Sequence, residues 1–304
     1  MHAKRFLTAL VLAILLPHAL AVTAPTPSTV PAPMQARLIR AHALAFTAIL
    51  NTMNDHPLWC VGDPRLPVEK VQSMAKTALS RWWGVNSKAE LHAMLEYLRT
   101  SGHRAAYAKL HAVFSAFPLE DNLQFASDGF YGDGSRTRLR PLEAVAFQFP
   151  TARDHDEETS RIVVICHLKD VPVVTDGPAT TPIAAWDYAR YIWLCQEGCE
   201  AGYLTEEEMW DLMLPMARLI QARYWSWEQF AFEYLRGREF WSVEAMRQDR
   251  GVVRRTVRDM LAPSGPWSSF AWNAPLGDGP LATDPFVPPP PLRTEPRPPV
   301  QDSR

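Results

Sequence analysis

The chain has 304 residues, with 31 basic and 33 acidic side chains and 47% hydrophobic residues. Charges that nearly cancel argue against an electrostatically driven nucleic-acid binder, which carries a basic excess or stripe. The apolar content suffices for one core domain of ordinary size, and eleven tryptophans point to helix-on-helix packing rather than to a ligand cage.

His2, Lys4 and Arg5 form a positive N-terminal region, followed by an apolar run from Phe6 to Leu16 broken by Pro17, with Ala19-Leu20-Ala21 as a small-x-small cleavage site. This pattern predicts a secretory signal peptide over 1–21 and export to the periplasm or beyond. The run is shorter than the roughly 20 residues a bilayer crossing needs, and no later segment is long or apolar enough, so no membrane span is expected after cleavage. Residues 22–34, rich in Pro, Thr, Ser and Ala, read as a linker.

A helical domain is expected over 35–262. Leu38, Ala41, Ala45, Ile49 and Met53 recur at three- and four-residue steps, as do Val68, Val71, Ala75, Ala78 and Trp82. Each set describes one apolar stripe on an amphipathic helix. Ser87 with Glu90 is a capping-box pattern ahead of Leu91, Met94, Leu95 and Leu98, and Gly102 is expected to end that helix. A further helix follows, with Ala106, Tyr107, Leu110, Val113, Phe114 and Phe117 inward. Residues 119–140 read as a long loop. Two β-branched runs between Arg161 and Thr175 suggest a small β-hairpin insertion, its second strand kept at an edge by Pro172.

Residues 181–241 hold three helix signals in succession. Thr181 and Pro182 read as a cap and first-turn proline. From Ile183 to Leu194 nearly every residue is apolar or aromatic, which places that helix inside the protein. Asp187 and Arg190, three apart, share a face and must pair if buried. Gly202 closes the helix. Thr205 and Glu208 form the next capping box, with Met209, Met213, Met216, Ile220 and Tyr224 inward, and Pro215 is expected to kink or split this helix. Ser226 and Gln229 open the third, which Gly237 is expected to end. From Pro263 the composition turns proline-rich, so 263–304 reads as a disordered tail. The fold class is therefore mainly α: a compact multi-helix domain with a possible β-hairpin insertion and disordered Pro-rich termini.

The order of motifs Trp186-Asp187-x-x-Arg190, Gly202-Tyr203-Leu204-Thr205, Ser226-Trp227-Glu228 and Gly237-Arg238-Glu239-Phe240-Trp241 resembles the bacterial domain of unknown function 1266 family. Trp83-Gly84-Val85 and Gly102-His103-Arg104 fit the same family's N-terminal half, so that the likeness covers about Ala75 to Trp241. The resemblance implies no settled activity, substrate or cofactor.

Two functional classes stay open. A hydrolase-type enzyme would draw on His103, Arg104, Asp187, Arg190 and Glu228: a histidine beside a buried carboxylate can act as general base, and an arginine can hold an anionic group. The same residues can instead be a polar network that keeps helices in register. The chain has no GxSxG elbow, HExxH, phosphate-cradling glycine loop or paired CxxC, and no motif implies a cofactor. Cys60, Cys166, Cys195 and Cys199 allow disulfides in an exported chain, and Cys166-His167 with Cys195 and Cys199 is a weak candidate zinc set. The preferred expectation is a non-catalytic envelope protein, accessory or immunity-like, that recognises a protein partner through its helical surface.

Overall fold

In a computed structural model, residues 32–115, 183–241 and 251–285 are described. The signal peptide expected over 1–21, most of the linker expected over 22–34, the loop expected over 119–140 and the hairpin expected over 161–175 lie outside them. The described residues form α1 (Ala32–Ala45), α2 (Ala48–Met53), α3 (Val68–Trp83), α4 (Lys88–Thr100), α5 (Gly102–Ser115), α6 (Ala184–Glu200), α7 (Glu206–Arg223), α8 (Trp227–Trp241) and α9 (Val252–Leu261), with a 3₁₀ turn over Pro266–Ser269. No strand occurs among them, and the protein is mainly helical.

α6 is the axis. Every residue from Ala184 to Gly198 is buried, because α2, α3, α4, α5, α7 and α8 all pack against it. This is the physical outcome of a helix apolar on all sides. α6 begins at Ala184, with Ile183 at its N-cap in a left-handed conformation (φ 58°). The helix thus starts after the Thr181–Pro182 pair that was read as its cap and first turn. Ile183 offers no side-chain acceptor to the helix, and its own N–H donates to Glu233 Oε2 at 2.7 Å. Left-handed backbone at a β-branched residue is strained, and here a buried carboxylate from α8 holds it.

Local signals elsewhere play out with instructive differences. The Thr205–Glu208 capping box forms in full. α7 runs unbroken through Pro215, whose carbonyl accepts the N–H of Ala282 at 2.9 Å. The expected split therefore does not occur. α8 continues past Gly237 to Trp241; a Cβ at Gly237 would collide with Trp186, so this glycine marks a close helix crossing, not a terminus. The stripe from Leu38 to Met53 is divided by a turn at Phe46 and Thr47. Leu38 faces outward as a result, while Ala43 to Phe46, Ala48 and Ile49 are buried.

The largest correction concerns the C-terminal segment. Residues 263–285, expected to be part of a disordered tail, fold back across α7. Trp267 is 2% exposed; its indole donates to the Ala45 carbonyl at 2.8 Å and stacks on Trp227 at 4.8 Å. Trp272 donates to the Tyr224 carbonyl, and Gln221 donates to the carbonyls of Trp272 and Ala274. Arg218 donates to the carbonyls of Leu276, Gly277, Asp278 and Pro280. Side chains of α7 thus satisfy a backbone that no regular element could satisfy. Residues 286–304 lie outside the described ones.

Candidate functional site

Asp187 sits on the first turn of α6 with 0% exposure. Its carboxylate accepts four hydrogen bonds. The backbone N–H groups of His103 and Arg104 donate to Oδ1 and Oδ2, both at 3.0 Å. Arg104 Nη1 donates to Oδ2 at 3.0 Å, and Arg190 Nη2 to Oδ1 at 2.6 Å. The two backbone donors belong to the first turn of α5, where free N–H groups and the helix dipole favour an anion. Asp187 is therefore a cap supplied from another helix. Gly102 makes this approach possible: it is left-handed (φ 53°), and a Cβ there would collide with the Asp187 carboxylate.

The arginines are equally occupied. Arg104 is fully buried. It donates to the carbonyls of Leu98 and Arg99 at the end of α4 and pairs with Asp284 at 3.3 Å. Asp284 also accepts from Tyr188 and pairs with Arg223 at 2.8 Å. Arg190 lies over Trp186 at 4.5 Å and Trp83 at 5.5 Å, a cation–π arrangement that suits a desolvated guanidinium. Its Nη2 also donates to His103 Nδ1 at 2.8 Å. A guanidinium cannot accept, so Nδ1 is the unprotonated nitrogen of His103. Burial alone would raise the Asp187 pKa; the charges of Arg190 and Arg104 beside it outweigh this and hold the carboxyl well below the usual range.

The structure thus brings His103, Arg104, Asp187 and Arg190 together and leaves Glu228 apart, exposed on the first turn of α8. Asp187, Arg104 and Arg190 are sealed in the core, while His103 keeps 18% of its side chain exposed. Both Asp187 oxygens are committed to protein donors, so no lone pair faces a cleft from which it could take a substrate proton. Asp284, buried beside Arg104, was not anticipated because it lies in the stretch read as tail. A second buried network joins Glu233, Arg236 and Tyr107 at 2.8 and 2.9 Å. The thiols of Cys60, Cys195 and Cys199 are free. Cys195 is wholly buried, and burial raises its pKa. Cys166 and His167 lie outside the described residues.

Another polar cluster flanks the far end of α6. His56 Nδ1 stands 3.1 Å from Glu197 Oε1, and His56, Glu197 and Glu200 each bring one ligand-type atom within 4.8 Å of the others. Glu197 is fully buried, and neither carboxylate oxygen accepts a hydrogen bond. Burial, reinforced by the Glu200 charge, pushes its pKa up to about 9. Glu200 is fixed by the Gly62 N–H at 2.8 Å and by Gln196 Nε2 at 3.0 Å. Asn51 Nδ2 clamps the loop to α6, donating to Pro57 O at 3.2 Å and Gln196 Oε1 at 3.1 Å. An open cleft of about 440 Å³, lined by Thr52, Asp55, His56, Pro57 and Arg65 among others, lies on the solvent side. No sequence motif announced this site, because His56 and the two glutamates are about 140 residues apart in the chain.

The model of a family described as "Protein of unknown function (DUF1266)" matches residues 78–272. The match covers α4 to α9 and runs into the 263–272 stretch that buries Trp267. No curated protein and no solved structure matches the chain.

Proposed function

From the premise that the chain belongs to this family of proteins of unknown function, DUF1266, we propose that it is an exported, non-catalytic binding protein of the bacterial envelope. In this reading it recognises another protein through its helical surface, in an accessory or immunity-like role. The observation that carries the reading is the saturation and burial of Asp187: the best candidate for acid–base chemistry is spent on joining α5 to α6 and, through Arg104, to the end of α4. Export rests on the basic-apolar-small pattern of residues 1–21. No helix among the described residues is long and apolar enough to cross a membrane.

The outer shoulder of α3 offers a binding surface. Trp82 is 72% exposed, and Met74 is also exposed on the same flank of the helix. Of the stripe expected to face inward, Ala75 turns to the core together with Leu79, while Val68 and Trp82 are exposed and Val71 and Ala78 border solvent. Large exposed apolar side chains of this kind mark interaction surfaces.

Site-specific photocrosslinking tests the proposal. A photoreactive phenylalanine derivative at Trp82 in the exported protein should give one discrete adduct in cells. The same group at His92, exposed on α4, should not, and Met74→Ser should weaken the Trp82 adduct. Equal labelling at both positions, or a turnover that Asp187→Asn abolishes in a folded protein, would overturn the reading.

A further inference from the structure

We infer that His56, Glu197 and Glu200 form a binding site for a divalent metal ion of the zinc class. Three observations carry this. The first is ligand type and spacing. One imidazole nitrogen with two carboxylates is a donor set that zinc accepts, and ligands around a tetrahedral ion at about 2.0–2.1 Å stand roughly 3.3 Å from one another. His56 Nδ1 and Glu197 Oε1 are 3.1 Å apart. All three groups lie within 4.8 Å, so a small movement of Glu200 closes the set.

The second is the state of Glu197. Its carboxylate is sealed from water, yet neither oxygen accepts a hydrogen bond. The short distance to His56 falls outside hydrogen-bond alignment, as happens when two ligands aim lone pairs at a shared point rather than at each other. A buried carboxylate needs a compensating cation or donor, and an ion at that point supplies it for both glutamates.

The third is support around the ligands. The His56 backbone N–H donates to the Asn51 carbonyl at 2.8 Å, which fixes the loop that carries the imidazole. Asn51 in turn holds Gln196, and Gln196 with the Gly62 N–H orients Glu200 through Oε1. Outer partners of this kind fix ligand orientation in metal sites. Three protein ligands leave a coordination position for water on the side of the cleft lined by Thr52, Asp55 and Arg65.

The test uses the full-length protein stripped with a chelator and titrated with Zn²⁺ against a chromophoric competitor. One equivalent should bind in the micromolar range or tighter. His56→Ala and Glu200→Gln should each weaken binding roughly tenfold or more, while Cys60→Ser leaves it unchanged. The far-UV circular dichroism of each metal-free variant establishes that it is folded; should His56→Ala fail this check, Glu200→Gln decides. Co²⁺ in place of Zn²⁺ should give visible ligand-field bands without thiolate charge transfer. Absence of saturable binding, binding that survives both ligand substitutions, or a thiolate band would overturn the assignment. None of these outcomes bears on crosslinking at Trp82, so the two proposals stand or fall separately.

Discussion

Asp187 accepts four hydrogen bonds and faces two buried guanidinium groups. Replacing it with Asn removes the negative charge that opposes Arg104 and Arg190 while keeping the volume. Breaking a buried pair in this way costs on the order of 3–5 kcal/mol, to be read as a lower urea midpoint. Gly102→Ala should lose stability through the same contact, since it forces a left-handed alanine and drives its Cβ into the carboxylate. The double variant should lose less than the sum of the two, because both substitutions break one interaction; full additivity would refute the shared mechanism. His42 gives a pH signature. It is buried among Phe46, Trp227 and Phe270, neither ring nitrogen has a hydrogen bond, and burial lowers its pKa from 6.5 to about 4. Above pH 6.5 the ring is neutral in both states and contributes nothing. As pH falls below 6.5 the unfolded chain takes the proton first, so stability drops until about pH 4, by on the order of 3 kcal/mol. His42→Phe should flatten this slope between about pH 7 and pH 5; an unchanged slope in urea unfolding would remove His42 as its source.

The elements show how much was legible in the sequence. The α6 core, the Thr205 capping box and the need for Asp187 to pair follow from local patterns, and each is present. Glycines were legible as special, though not always for the whole reason. Gly102 does follow the end of α4 in the left-handed conformation and also admits a carboxylate from a different helix, whereas Gly237 read as a stop and instead admits Trp186 inside α8. Such contacts depend on tertiary neighbours that no window of sequence contains. The C-terminal segment misled for a related cause. Its proline content implied poor burial, but a few anchors suffice: Trp267, Trp272, Leu276 and Asp284 dock while α7 side chains take up the intervening carbonyls. Trp267→Ala should therefore cost about 3–5 kcal/mol, comparable to a loss in the helical core, and a midpoint within error of wild type would show the segment to be dispensable.

For the whole molecule, polar side chains inside the helical assembly serve two different ends. Around Asp187 both carboxylate oxygens are matched, and Asp284 extends the network from α4 and α5 to the end of the described chain. Around Glu197 the matching is incomplete, and that contrast separates a joint from a binding site. The candidate site was therefore only half legible: the Asp187–Arg190 couple stood out by its spacing, and the His56 cluster did not, being assembled from distant parts. In the proposed reading Asp187 is a permanently charged joint with no acid–base role. Carboxyl ¹³C NMR, with the Asp187 signal assigned by its loss in Asp187→Asn, tests this most directly. The signal should show no titration between about pH 4 and pH 8. A titration step within that interval would mark a proton-exchanging group open to solvent and would contradict a permanently charged Asp187.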